Sequence, residues 1–213
     1  MEQIPAPAKE RLLCLMRILE RSNADGPLTS ARIESLTGWA SHTVRKDISF
    51  LGGYAGIDGG SGTAGSAGGY DPAPLAALIK KALGLERRRK FCVVGLGRLG
   101  SAYLNARELE GSEFELAAGF DTNVNRTEIL KSPAPLYPAY KMGEVIGRFG
   151  IEIALLCVPA EAAQSSAERL AEAGIGGILN FAPAPIVVPP GIAVRNVYLA
   201  DELRALSIKY DKN

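Results

Sequence analysis

The segment Phe91-Cys92-Val93-Val94-Gly95-Leu96-Gly97-Arg98-Leu99-Gly100 constrains this chain more than any other stretch. An apolar strand runs straight into G-x-G-x-x-G, and a carboxylate, Asp121, follows twenty-one positions after the last glycine. A strand, a tight glycine turn and a helix packed back on the strand are the layout of a dinucleotide site. Gly95 permits the turn, Gly97 lets the backbone approach a pyrophosphate, and Gly100 lets the helix pack against the sheet. Leu96, Arg98 and Leu99 complete the loop, and the start of the helix offers N–H groups to an anion. Asp121 ends the second strand, where it can accept from adenine-side ribose hydroxyls. A carboxylate there repels a 2′-phosphate, so the expected cofactor is NAD⁺/NADH rather than its phosphorylated form.

From residue 91 onward, strand and helix patterns alternate. Strands are expected near 91–95, 114–120, 151–157 and 176–180, and helices near 98–108, 142–149 and 161–173. Such alternation implies a parallel sheet with right-handed crossovers. Ligands of these folds bind at the carboxyl ends of strands. Two loops fall there, and Val158, Pro159, Asn180, Phe181 and Ala182 are expected to flank the nicotinamide half.

About ninety residues precede this motif, and they read as a different, helical module. Leu12, Leu13, Leu15, Met16, Ile18 and Leu19 mark a strongly apolar helix over 8–22, wide-faced enough to pack on more than one side. Thr29 or Ser30 caps a short helix that Gly38 breaks, and Ser41 starts a third. Two short helices with a glycine in the turn suggest a helix-turn-helix. In the third, Val44, Ile48 and Leu51 share one stripe, so His42, Arg45, Lys46 and Ser49 project on the far side. An apolar back with a basic front suits a helix that enters the major groove; an ordinary solvated helix has the same look. Residues 52–70 are rich in glycine and serine, at the place of a β-hairpin wing. No Lys or Arg occurs between Lys46 and Lys80, so such a wing carries no cation. A further helix is expected near 73–83.

Composition narrows the classes. The net charge is +1 over 213 residues, so any case for nucleic acid rests on local charge. No apolar run approaches the roughly 18 residues of a membrane span, and residues 1–9 lack a signal-peptide layout; the expected compartment is the cytoplasm, with no membrane partner. The cysteines, Cys14, Cys92 and Cys157, form no C-x-x-C pair, and there is a single histidine, so a metal site is not expected. Tyr137 and Lys141 spell Y-x-x-x-K, but Pro138 lies between them, and no other proton donor suits hydride transfer. A cofactor site without a catalytic site suggests a sensor rather than an enzyme.

The chain resembles the redox-sensing transcriptional repressor Rex family over nearly its whole length. The matching pieces are Leu15-Met16-Arg17-Ile18-Leu19, Val44-Arg45-Lys46-Asp47 and Val94-Gly95-Leu96-Gly97-Arg98-Leu99-Gly100-Ser101. Later come Ile151-Glu152-Ile153-Ala154-Leu155-Leu156, Glu161-Ala162-Ala163-Gln164 and Gly177-Ile178-Leu179-Asn180-Phe181-Ala182-Pro183. The resemblance implies an α/β chain with three parts: a winged helix-turn-helix domain (1–85), a Rossmann-type NAD(H)-binding domain (86–196) and a C-terminal helix (197–213) exchanged within a homodimer. Leu199, Leu203 and Leu206 fit such a helix. It implies a repressor released from palindromic double-stranded operator DNA by NADH, with Ser41, His42, Thr43, Arg45, Lys46, Gly68, Gly69 and Tyr70 facing the DNA. Three departures stand out. The family's wing reads Arg-Gly-x-Gly-Tyr, and only Gly68-Gly69-Tyr70 remains here. The family's Asn-Val-Asp triplet is Asn196-Val197-Tyr198, followed by Leu199 instead of an aromatic. The tyrosine that pairs with its acid is Ala106, and Arg11, the arginine that pairs with it in another state, then lacks its usual acid. These departures leave two alternatives: a DNA-binding regulator with a structural cofactor and an impaired switch, or a small NAD-dependent oxidoreductase.

Overall fold

The computed structural model describes residues 4–21, 26–52, 69–106, 109 and 111–210. They form two compact units, Met1–Arg87 and Arg88–Asn213.

In the first unit, α1 (Ala6–Arg21) buries Ala8, Leu12, Leu15, Met16 and Leu19. These positions recur at three- and four-residue spacing and form one stripe. Leu13 lies about 100° around the helix from Leu12, and it is 42% exposed. The helix therefore packs on one face, not on several as its composition suggested. Thr29 caps α2 (Ser30–Thr37): its hydroxyl accepts from the Arg32 N–H at 3.1 Å. Gly38, at φ +74°, ends that helix in the left-handed region glycine tolerates. After a short turn α3 (Ser41–Ser49) begins, and its stripe of Val44 and Ile48, continued by Leu51, is buried as expected. Finally, α4 (Pro72–Ala82) buries Leu75 and Ile79 against the same core. Leu28 and Tyr70 form an isolated antiparallel bridge, with N–H···O distances of 2.8 and 2.9 Å. Gly69 sits there at φ +88°, where a Cβ would lie 3.0 Å from the Leu28 carbonyl. The expected wing between these partners, Gly68 included, lies mostly outside the described residues.

One ion pair ties α3 to α1. The Arg11 guanidinium grips both carboxylate oxygens of Asp47, at 2.6 and 2.8 Å, and the Asp47 side chain is only 6% exposed. Arg11 therefore pairs with an acid of α3, a partner the sequence analysis did not name.

The second unit is a six-stranded parallel sheet of order β3-β2-β1-β4-β5-β6. Its strands are β1 (Arg89–Val94), β2 (Phe114–Asp121), β3 (Leu136–Pro138), β4 (Ile153–Leu156), β5 (Gly177–Asn180) and β6 (Ala193–Asn196). Between them run α5 (Arg98–Tyr103), α6 (Val124–Ile129), α7 (Met142–Phe149) and α8 (Ala160–Glu172), and α9 (Leu199–Tyr210) follows the last strand. Alternation along β1 assigns the two faces. Cys92 and Val94 join Phe120, Leu156, Ile146 and Leu170 in one core, whereas Phe91 and Val93 join Leu96, Leu104 and Leu155 in another. Strand order reverses between β1 and β4, which opens a crevice above their carboxyl ends. The helix expected over 98–108 ends at Tyr103, and β3, α6 and β6 were not anticipated. Each is short, and β6 is a largely exposed edge strand, so none carries a strong periodic signal. No helix among the described residues is long and apolar enough to cross a membrane.

Removing Arg11 would leave the Asp47 carboxylate buried without its counter-ion. Arg11→Ala should destabilise the protein by about 3 kcal/mol, read as a lower urea midpoint. Arg11→Met with Asp47→Leu should recover most of that loss, because it removes both charges together.

Candidate functional site

The glycine loop sits at the crevice, and its geometry explains each glycine. Gly95 has φ +88°, and a Cβ there would fall 2.6 Å from the Cys157 carbonyl oxygen. A Cβ on Gly100 would fall 1.8 Å from the Gly95 carbonyl oxygen, so only glycine lets α5 lie this close to the turn. Around Gly97, nothing lies within 4 Å of an added Cβ; its demand for glycine is set by what approaches the loop.

Asp121 locks the loop from below and is 4% exposed. Its Oδ2 accepts from the Leu96 N–H at 2.7 Å and from Arg126 Nη1 at 3.3 Å, and its Oδ1 accepts from the Asn123 N–H at 2.7 Å. The carboxylate thus joins the turn after β1 to the turn after β2.

A cavity of about 470 Å³ opens above these groups. Gly95, Gly97, Arg98, Leu99, Asp121, Val158, Pro159 and Phe181 line it, eight of the twelve residues expected at a cofactor. The other four sit elsewhere. Gly100 packs beneath the loop, and the Leu96 side chain is in the core. Asn180 and Ala182 are fully buried. Asn180 is a hub: its Nδ2 donates to the Ala184 carbonyl and to Asn196 Oδ1, both at 2.9 Å, and its Oδ1 accepts from the Ala182 N–H at 3.0 Å. Tyr198 joins this network, since its hydroxyl lies 3.3 Å from Asn180 Nδ2 and from Asn196 Oδ1. Sequence reasoning missed Thr122, Arg126, Met142, Ser166 and Arg169, which also line the cavity. They come from α6, α7, α8 and the turn after β2, where no motif marks them. Cys157 lines the wall as a neutral thiol, its pKa pushed up to about 12 by burial.

A second surface lies on α3, in the other unit. His42, Arg45, Lys46 and Ser49 are exposed along one face, opposite the buried stripe. Thr43 is half-buried beside Trp39 and Arg11. Ser41 is engaged: its hydroxyl and its N–H both donate to the Glu34 carboxylate. These two bonds, the hydroxyl's first, hold the Glu34 carboxyl below its ordinary value of 4.5. Tyr70 is buried at the Leu28 bridge, and Gly69 lies beside it, so the Tyr70 ring serves the core.

The architecture defines a class: a helical module with an exposed basic helix, on the same chain as a doubly wound dinucleotide-type domain. A family model described as a CoA binding domain matches residues 86–184. The redox-sensing transcriptional repressor Rex of Thermus thermophilus is 38% identical over 208 residues, which cover 96% of this chain and 93% of that one. That of Ligilactobacillus salivarius is 33% identical over 207 residues, covering 96% and 92%. The chain belongs to the Rex family of redox-sensing transcriptional repressors. Among solved structures, the Rex-family repressor RSP with NADH superposes with a TM-score of 0.82 at 28% identity, covering 100% of this chain and 96% of that one. RSP with NAD⁺ and operator DNA gives 0.83 at 28% identity, covering 100% and 94%.

Gly97 and Gly100 should separate cleanly by experiment. Gly97→Ala should leave the melting temperature unchanged and weaken NADH binding by about tenfold or more. Gly100→Ala should instead lower stability by about 1–3 kcal/mol, because the clash is internal. Glu34 makes a pH prediction. Its folded pKa is depressed, so its stabilising bonds are fully present above about pH 4.5 and fade as pH falls through the lower folded value. The melting-temperature gap between the wild type and Glu34→Gln should therefore shrink on acidification.

Proposed function

We propose that this chain is a dimeric, NAD(H)-responsive repressor that binds operator DNA through α3 and releases it when NADH fills the cavity between β1 and β4. The observation that carries this reading is the full-length likeness to RSP, a protein solved both with NADH and with NAD⁺ and operator DNA. Local geometry supports it. Gly95 and Gly97 shape a loop that a pyrophosphate can approach, Arg98 and Leu99 line its mouth, and Val158, Pro159 and Phe181 supply an apolar wall. Bound NAD⁺/NADH contributes a nicotinamide whose oxidation state the protein can read; the chain supplies the cradle and the response. Arg45 and Lys46 offer cations to phosphates and base edges, with His42, Thr43 and the Ser41 end of the helix beside them. The Glu34 carboxylate at that end keeps Ser41 ordered and opposes close approach of a phosphate.

The C-terminal helix supports dimerisation. Leu199, Leu203, Leu206 and Ile208 on α9 are 75%, 55%, 63% and 60% exposed, a large apolar display for a surface helix. A second copy of the chain would cover it by exchange. The protein acts as a regulator rather than an enzyme, in the cytoplasm where its operator lies. By linkage, the factor by which NADH weakens DNA binding is the factor by which DNA weakens NADH binding.

A second reading has its own observation. The Tyr198 hydroxyl is held by Asn180 and Asn196 of the same unit, where the family carries an acid able to change partners. This reading keeps DNA binding and loses redox discrimination.

Fluorescence anisotropy against a palindromic operator duplex, at fixed salt, tests both. The first reading expects release by NADH and not by NAD⁺; specific binding indifferent to both cofactors establishes the second. Absence of specific binding would refute both. In the same assay Lys46→Ala should weaken every duplex alike and reduce the salt slope by about 1.

A further inference from the structure

We infer that Tyr103 is a positioning residue for the cofactor: its ring backs Phe181 and holds that side chain against the nicotinamide. This rests on the dinucleotide reading of the site. Phe181 lines two cavities at once. One is the cofactor cavity between β1 and β4. The other, of about 720 Å³, is bounded by Pro183, Pro185, Val197 and Leu199 at the approach to α9. The half-buried Phe181 ring therefore stands between two open spaces. A ring with open space beside it has room to turn away from a ligand, and a ligand that pins it loses binding energy to that lost freedom.

Tyr103 removes this freedom in advance. Its ring centroid lies 5.1 Å from that of Phe181, with the planes tilted by 36°, within the range of favourable aromatic pairs. Both rings also pack on the core of Phe91, Val93, Leu96, Leu104 and Leu155, so the pair is anchored to one face of the sheet. Asn180 fixes the backbone of the loop through the Ala182 N–H; Tyr103 fixes the ring.

The placement of Tyr103 ties it to the phosphate loop. It is the last residue of α5, the helix that begins at Gly97. Leu99 is four residues earlier, on the same face of that helix, and lines both cavities with Phe181. One short helix thus presents Arg98 and Leu99 to the cofactor at its start and Tyr103 to Phe181 at its end. Tyr103 does not itself line the cofactor cavity, so its effect passes through Phe181 and falls on one half of the ligand. The pyrophosphate rests on the glycine loop; the nicotinamide is the half that meets the wall of Val158, Pro159 and Phe181. The role calls for a ring at position 103 and makes no demand on the hydroxyl.

Isothermal titration of the full-length protein with NADH and with ADP-ribose, which lacks the nicotinamide, tests this. Tyr103→Leu and Tyr103→Met both remove the ring, and methionine adapts more readily to the space left. Each should weaken NADH about three- to tenfold and leave ADP-ribose unchanged, which also shows that the variant is folded. The emission of bound NADH should shift toward that of free NADH. Tyr103→Phe should match the wild type for both ligands. If both ring-less variants leave NADH binding unchanged or weaken the two ligands alike, or if Tyr103→Phe is as damaging as they are, the inference is wrong, and the dinucleotide reading still stands on the wild-type affinities. If the wild type binds neither ligand, the dinucleotide reading falls and takes the inference with it.

Discussion

The carboxylate of Asp121 is the constraint on which the nucleotide-binding unit depends. It is buried at the end of β2 and accepts from the Leu96 N–H in the glycine loop. That bond ties the turn after β1 to the end of β2, beside the Leu96 side chain buried in the core. A buried carboxylate is stable only when its acceptors are filled, so the loop and the start of α6 are drawn to it together. The close contact of Gly100 with the Gly95 carbonyl then fixes where α5 can begin. The glycine loop is thus preorganised by a buried side chain that also lines the cavity.

Much of this was legible in advance, and the reason is local. Gly95, Gly97, Gly100 and Asp121 sit at fixed offsets because one βαβ unit holds them all, so spacing stands in for geometry. The buried stripe Val44, Ile48 and Leu51 was legible because helical periodicity decides burial directly. Partnerships between distant elements were not. Arg11 and Asp47 are thirty-six residues apart, and nothing in either helix alone says that they meet. Arg126 lies on a six-residue helix with no buried residue, and Asn180 reads as a loop residue until its four bonds are seen. Of the loop 181–183 only Phe181 lines the cavity, and the role of Asn180 in holding the loop from behind was not visible.

The N-terminal unit solves a different problem with the same economy of polar contacts. An exposed basic helix needs a fixed orientation, but its basic face cannot be packed. The orientation comes from the opposite side: Asp47 shares α3 with Arg45 and Lys46, yet points inward to Arg11 on α1. Arg-carboxylate pairing with two parallel bonds fixes angle as well as distance. Glu34 does the corresponding work at the other end of α3 by holding Ser41. Two acids, Asp47 buried and Glu34 exposed, therefore set how the cations between them are presented.

Tyr198 shows how a cofactor response can be relayed within one unit. Phe181 lines the cavity, and its ring lies 5.1 Å from that of Tyr103 on α5. The loop that carries Phe181 is pinned by Asn180, and Asn180 also reaches Tyr198, one residue before α9. Asn180 therefore links the loop next to Phe181 with the residue that precedes α9. A tyrosine in this place cannot change partners by charge, as an acid can, because its hydroxyl offers only neutral hydrogen bonds of about 0.5–1.5 kcal/mol each. The signal this network can pass is therefore mechanical.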